Sequence, residues 1–125
     1  MIDNKQFAAQ LEVRTKAFAI RIIRLASKLP ATPEAKVIRY QLVKSGTSVG
    51  ANYREANRSV SKADFRNRIA VCEKEASETQ YWLEIIMEAD MLPPEQVRCD
   101  HKECSELLAM FTSIGKKIGK KIRTN

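Results

Sequence analysis

Glycine and proline are scarce, four of each in 125 residues, and aromatic residues make up only 6% of the chain. So few turn-formers exclude a fold made of many hairpins or long ordered loops. Histidine occurs once, at His101, which excludes most histidine-based metal and acid–base chemistry. The cysteines Cys72, Cys99 and Cys104 are odd in number and lack Cys-x-x-Cys spacing. They read as reduced thiols, with Cys72 a core residue. Arg21 and Arg24 interrupt the most apolar stretch, and nothing approaches the run of about 20 apolar residues that a membrane helix needs. The amino terminus carries Asp3 and Glu12 without a secretory pattern, so the expected location is cytoplasmic.

What the chain does have is charge and helical periodicity. Lys and Arg number 22 against 15 Asp and Glu, a formal charge of +7, and 44% of residues are hydrophobic. This is the composition of a single domain that forms a core without disulfide or metal support.

Apolar residues recur at Phe7, Leu11, Phe18, Ile22, Leu25 and Leu29, in steps of three and four with a single wider gap, which predicts a helix over about 4–29. Ala17, Ile20 and Ile23 add a second strip, suited to a bundle or an oligomer. Thr32-Pro33-Glu34 has the form of an N-cap with proline in the first turn and opens a helix over 33–58. Its inward series is Ile38, Leu42, Ser45, Val49, Asn52 and Ala56. Ser61 with Asp64 opens a third helix over 62–91, carrying Phe65, Ile69, Cys72, Ala76, Thr79, Leu83 and Ile86 inward. Val71, Trp82, Ile85 and Ala89 flank that series, and Trp82 suits either core or interface. After Pro93 and Pro94 a fourth helix over 96–122 carries Cys104, Leu108, Phe111, Ile118 and Ile122. Short connections between helices of this length predict an all-α, antiparallel up-down-up-down four-helix bundle.

Two polar residues on the inward face of the second helix are unusual. Ser45, Ser48, Asn52 and Glu55 lie within three turns, and a buried polar group is costly unless paired. Asn52 is therefore expected to bond to a facing helix or an adjoining subunit, fixing register and association. A ligand site is the competing reading.

Several chemistries find no support. Di-iron bundles need Glu-x-x-His pairs, and no Glu stands three residues before His101. Cys99, His101 and Cys104 lack a fourth ligand and the spacing of a structural zinc site. Gly46, Gly50, Gly115 and Gly119 are spaced for helix packing and are not followed by Lys-Ser or Lys-Thr, so no phosphate loop is present. No acid, base and nucleophile converge, and neither an enzyme nor a metal or other cofactor is expected.

Charge is distributed unevenly. Residues 61–92 hold seven acids against four bases, whereas each other quarter is net basic. Basic side chains at Arg14, Arg21, Arg24, Lys28, Arg54, Arg58, Lys62, Arg66 and from Lys116 onward are candidates to neutralise phosphates. No helix-turn-helix, zinc-finger or RNA-recognition pattern accompanies them, so binding would use backbone and shape. A solvated, charge-patterned bundle is the alternative. Membrane-surface binding is not expected, because the apolar faces are needed inside the bundle.

The run from Leu42 through Ser45, Ser48, Val49, Asn52 and Glu55, followed by Ser61, Asp64, Phe65 and then Glu78, Thr79 and Trp82, resembles the four helix bundle protein family. That family is also called the 23S rRNA intervening-sequence protein family. It is similar in fold to the accessory variability determinant of diversity-generating retroelements. The resemblance extends from about Phe18 through the fourth helix. Ser45, Ser48, Asn52, Glu55, Glu78 and Thr79 then form a structural polar motif. Ala56 stands where relatives usually carry Gly, and Gly50 where Ala is common.

The resemblance implies a homo-oligomer, specifically a pentamer, with a binding or scaffolding role. Combined with the charge, the expected partner is RNA or DNA, or a protein associated with it, held through Arg14, Arg21, Arg24, Arg54, Arg58, Lys62, Lys116, Lys117, Lys120 and Lys121. A protein-interaction adaptor with no nucleic-acid role is the second expectation.

Overall fold

A computed structural model of the protein describes the backbone of residues 2–124 and the side chains of residues 2–119. Four helices follow one another: α1 (Asn4–Ala26), α2 (Pro33–Ala56), α3 (Lys62–Glu88) and α4 (Pro94–Thr124). Each of the first three is started by a side-chain oxygen. Asp3 accepts from the Gln6 amide in a reciprocal capping box, Thr32 accepts from Ala35, and Ser61 accepts from Asp64. Helix α3 ends in a Schellman turn, with the Asp90 amide on the Met87 carbonyl and the Met91 amide on that of Ile86. Asp90 takes the left-handed conformation at φ 55°, which is why α3 stops short of residue 91.

Partner numbers fall on one helix as they rise on the next. Ile22 lies against Gly46 and Thr15 against Gly50; Arg14 reaches Glu103 and Arg21 reaches Asp100. Between α3 and α4, Gln80 donates to Ser105, and Glu84 meets His101. With the short α2–α3 turn, these pairs make the bundle antiparallel, up-down-up-down.

The core is Leu11, Phe18, Ile22 and Leu25 of α1, Leu42, Val49 and Tyr53 of α2, Ile69, Cys72, Leu83 and Ile86 of α3, and Val97, Leu107 and Phe111 of α4, all buried. Each large apolar side chain contributes about 1.5–3 kcal/mol by leaving water. Thr15 fills the gap in the α1 series, its hydroxyl donating to the Leu11 carbonyl at 2.9 Å. Tyr53 stacks at a tilt on Phe111 with ring centroids 5.6 Å apart. Tyr53, not Asn52, is the core residue of this turn. Asn52 is half-buried and donates to the Ser48 carbonyl of its own helix at 2.8 Å, so the expected bond to a facing helix is not made within the chain. Ser45 does bond across the seam, its Oγ 2.9 Å from Thr79 Oγ1, and both hydroxyls are buried.

The glycines divide into two kinds. A Cβ at Gly46 would lie 2.7 Å from Ile22 Cγ2, and one at Gly50 would lie 3.2 Å from the backbone carbon of Thr15. These two residues set how closely α1 and α2 approach. Gly115 does not play that part, since a Cβ there would meet only Ile69 Cγ2 at 3.8 Å, an ordinary contact. The expectation that Gly115 is a packing glycine is thereby corrected.

Among neighbouring helices α1 and α4 approach least, and charged side chains bridge them. Arg14 forks onto Glu103 at 2.8 and 2.7 Å and also reaches Glu106 at 3.0 Å. Arg21 bonds Asp100 at 2.7 Å. The Arg14 guanidinium holds the half-buried Glu103 carboxyl below its ordinary pKa, against the opposing effect of burial. A depressed carboxylate stabilises the fold above its unfolded pKa and loses that contribution as pH falls through the folded value.

Two predictions follow from this packing. Gly46→Ala should destabilise by about 1–3 kcal/mol because Ile22 is fully buried and cannot yield. Gly115→Ala should instead stabilise by about 0.5–1 kcal/mol through helix propensity; thermal or urea unfolding of the two variants checks the opposite signs. Glu103→Gln should cost about 1 kcal/mol near neutral pH, a modest figure because Arg14 is partly exposed. The gap to the parent chain should narrow as the pH falls below the ordinary carboxylate range, measured by denaturant titration along the series. A gap constant over that range would mean that the Glu103 charge contributes nothing.

Candidate nucleic-acid interface

The antiparallel arrangement brings the end of α2, the start of α3 and the last turns of α4 to one end of the bundle. Ile118 of α4 shares a surface depression with Asn57, Ser59, Lys62 and Phe65 of the α2–α3 connection. At this end Arg58, Lys62, Arg66, Lys116 and Lys117 are exposed, and none has a carboxylate partner among the described residues. Lys62 is the first residue of α3, where the helix dipole opposes a cation by a few tenths to about 1 kcal/mol, and Arg66 follows it at i,i+4 as a like charge. Fold stability therefore gives no reason for a cation at either position.

The ten residues expected to contact phosphate do not form one surface. Lys116 and Lys117 line one depression on α4, Lys116 also lines a groove with Arg66, Lys62 shares a depression with Ile118, Arg58 lies in the adjoining α2–α3 connection, and Arg54, a turn earlier, faces Glu12 at 3.9 Å. Arg14 and Arg21 are committed to the α1–α4 seam. Their neighbours Glu103, Glu106 and Asp100 already supply the negative charge that a phosphate would. Arg24 is in the last turn of α1, at the opposite end, roughly 20 Å along the bundle axis at 1.5 Å per residue. The side chains of Lys120 and Lys121 lie outside the described residues.

Arg66 belongs to the cluster although it was only part of the wider basic inventory. It flanks a groove of about 300 Å³ between α3 and α4 that Lys116, Thr112 and Gly115 also line. A shallower depression of about 380 Å³ on α4 shares Thr112 and Lys116 with that groove and continues it to Ser113 and Lys117. The sequence signal for this site is the coincidence of Arg66 at the start of one helix with Lys116 at the end of the next, which becomes a juxtaposition only once the two helices are antiparallel.

Of the polar motif, only Ser45 and Thr79 meet across the α2–α3 seam. Ser48 Oγ donates to the Lys44 carbonyl at 2.6 Å, and Glu55 is exposed beside the α1–α2 groove. Glu78 neighbours Glu75, whose carboxyl is raised above its ordinary pKa first by burial and then by the Glu78 charge. Thr79 bonds Ser45. Trp82 is half-buried, and its indole Nε1 is buried without a partner.

Cys99, His101 and Cys104 project from three sides of α4. Cys99 lies 3.2 Å from an Arg21 nitrogen, His101 Nε2 3.0 Å from Glu84, and Cys104 points into the core at the Ala76 carbonyl. Burial pushes the Cys72 and Cys104 thiols up to about 12. Among the described residues no group of His, Cys, Asp and Glu is placed to hold a metal ion, and no helix is long and apolar enough to cross a membrane.

Among proteins of curated function, none matches the chain. A crystal structure from Bacteroides thetaiotaomicron VPI-5482, of a protein with unknown function from the S23 ribosomal protein family, is similar at 36% identity. It matches with a TM-score of 0.78 and covers 84% of this chain and 97% of that one. The family model for the 23S rRNA-intervening sequence protein matches residues 9–113. With its four helices and most of its length accounted for by that match, the chain belongs to the 23S rRNA-intervening sequence protein family.

Proposed function

We propose that the protein is a non-enzymatic, cytoplasmic homo-oligomer, a pentamer, that binds RNA or another nucleic acid through the basic end of its bundle without reading bases. The observation that carries this reading is the group of cations from three elements, Arg58, Lys62, Arg66, Lys116 and Lys117, that have no carboxylate partner among the described residues, with Lys62 set against the α3 dipole. Cations so placed contribute affinity by releasing counterions from a phosphate backbone. The +7 of each chain adds over the subunits of an oligomer, and the summed field attracts polyanions. No cofactor enters this function.

Oligomerisation is supported by a strip of α1 that the bundle leaves in water. Val13 is 70%, Ile20 42% and Ile23 48% exposed, and Tyr40 of α2 is 63% exposed. The same strip supports a second reading, an adaptor for a protein partner with no nucleic-acid role.

Binding of a mixed-sequence structured RNA across a salt series, with mass measured by light scattering, tests both. A multimer with a steep negative slope of log affinity on log salt is expected. Replacing Arg58, Lys62, Lys116 or Lys117 by Ala should lower that slope by about one per phosphate contact removed. Arg24→Ala, at the far end, should change it little. No binding at low salt, or slopes unchanged in the cluster variants, would rule out the nucleic-acid reading. A partner recovered from nuclease-treated lysate would then favour the adaptor.

A further inference from the structure

The α3–α4 groove at the basic end has three features that fold stability does not require. Its two cationic flanks, Arg66 and Lys116, come from different helices and have no carboxylate partner among the described residues. Arg66 stands one turn after Lys62, a like-charged i,i+4 pair that disfavours the helix. Gly115 between them is not needed for packing, because a Cβ would sit 3.8 Å from Ile69 Cγ2, and no glycine in the described chain takes a positive φ. A helix residue that loses propensity with no steric reason leaves bare backbone, which permits close approach of a ligand.

We propose that this groove is the seat of a single nucleic-acid strand. The sugar–phosphate backbone lies over Gly115, and Arg66 and Lys116 hold a phosphate from its two sides. The volume, about 300 Å³, is on the scale of one nucleotide unit of backbone. Glu73 lines the far end of the groove, level with Thr112. Its charge repels a phosphate there and confines the anion to the Arg66–Lys116 end. This inference rests on the nucleic-acid reading and names the place and the part of the ligand that it recognises.

The test is anisotropy of a short labelled single-stranded RNA, and of DNA with the same sequence, against the full chain and three variants. Gly115→Leu fills the groove and keeps every charge. It should weaken both probes at least about tenfold, or 1.4 kcal/mol, with the salt slope unchanged. Arg66→Ala should weaken binding and lower the slope by about one. Glu73→Gln should tighten binding, and because it changes no packing volume it remains informative if Gly115→Leu fails to fold.

Parent-like affinity in Gly115→Leu, or no tightening in Glu73→Gln, would overturn the groove while leaving the broader reading intact. A changed oligomer mass for Gly115→Leu would also overturn it, by assigning the glycine to a subunit contact. Absence of any binding by the parent chain would instead remove the nucleic-acid reading itself.

Discussion

A four-helix bundle closes only when its last helix meets its first, and here that seam is bridged by arginine reaching for carboxylate. Arg14 is shared by Glu103 and Glu106, and Arg21 is held by Asp100. Long side chains suit this task, because α1 and α4 approach less closely than the other neighbours, and a forked guanidinium spans the gap with defined geometry. The glycines on the other side of α1 have the complementary effect. Gly46 and Gly50 draw α2 against Ile22 and Thr15, so α1 leans toward α2 and leaves the α4 side to ion pairs. Removing Glu103 would leave Glu106 on the partly exposed Arg14 guanidinium, so the loss stays modest.

That closure also decides which cations are available. Summed along the chain, the basic residues look like one pool, and ten of them were candidates for phosphate contact. The fold divides the pool into three: those neutralised at the seam, those at the far end such as Arg24, and those gathered where α2, α3 and α4 meet. Local pattern was legible from the start. The caps at Thr32 and Ser61 and the four-helix architecture follow from spacing of three and four residues and from proline placement, as do most of the inward stripes, although Phe7 is exposed and Leu107 is buried in place of Leu108. Thr15 and Tyr53 were harder to read. A threonine donating to its own helix can occupy a core position, and the stripe of α2 drifts until Tyr53 replaces Asn52. The pairing of Arg14 with Glu103 was not legible at all. Its partners are 89 residues apart, and charge pairing over that distance depends on helix rotation, which no local spacing encodes.

The charge polarity has a simple geometric origin. Helix α4 carries its acids, Glu95, Asp100, Glu103 and Glu106, in its first half, and no acid follows Glu106. Helix α3 is arranged in reverse, with Lys62, Arg66 and Arg68 at its start and Glu84, Glu88 and Asp90 toward its end. Because the two helices are antiparallel, opposite gradients in sequence become parallel gradients in space. The acidic start of α4 lies beside the acidic end of α3, where His101 meets Glu84, and the two basic stretches meet at the other end.

Helix dipoles explain half of this arrangement. Lysines near the end of α4 complement the negative terminus of that helix, and a stabilising role accounts for them without a ligand. The start of α3 is different, since its terminus is already positive and Lys62 and Arg66 add to it. Asp64, in the same turn, pairs with Arg68 at 4.0 Å and bonds the Val60 amide, which leaves Arg66 unmatched. Positive potential therefore collects where α3 starts and α4 ends, and the groove between the two helices opens into it.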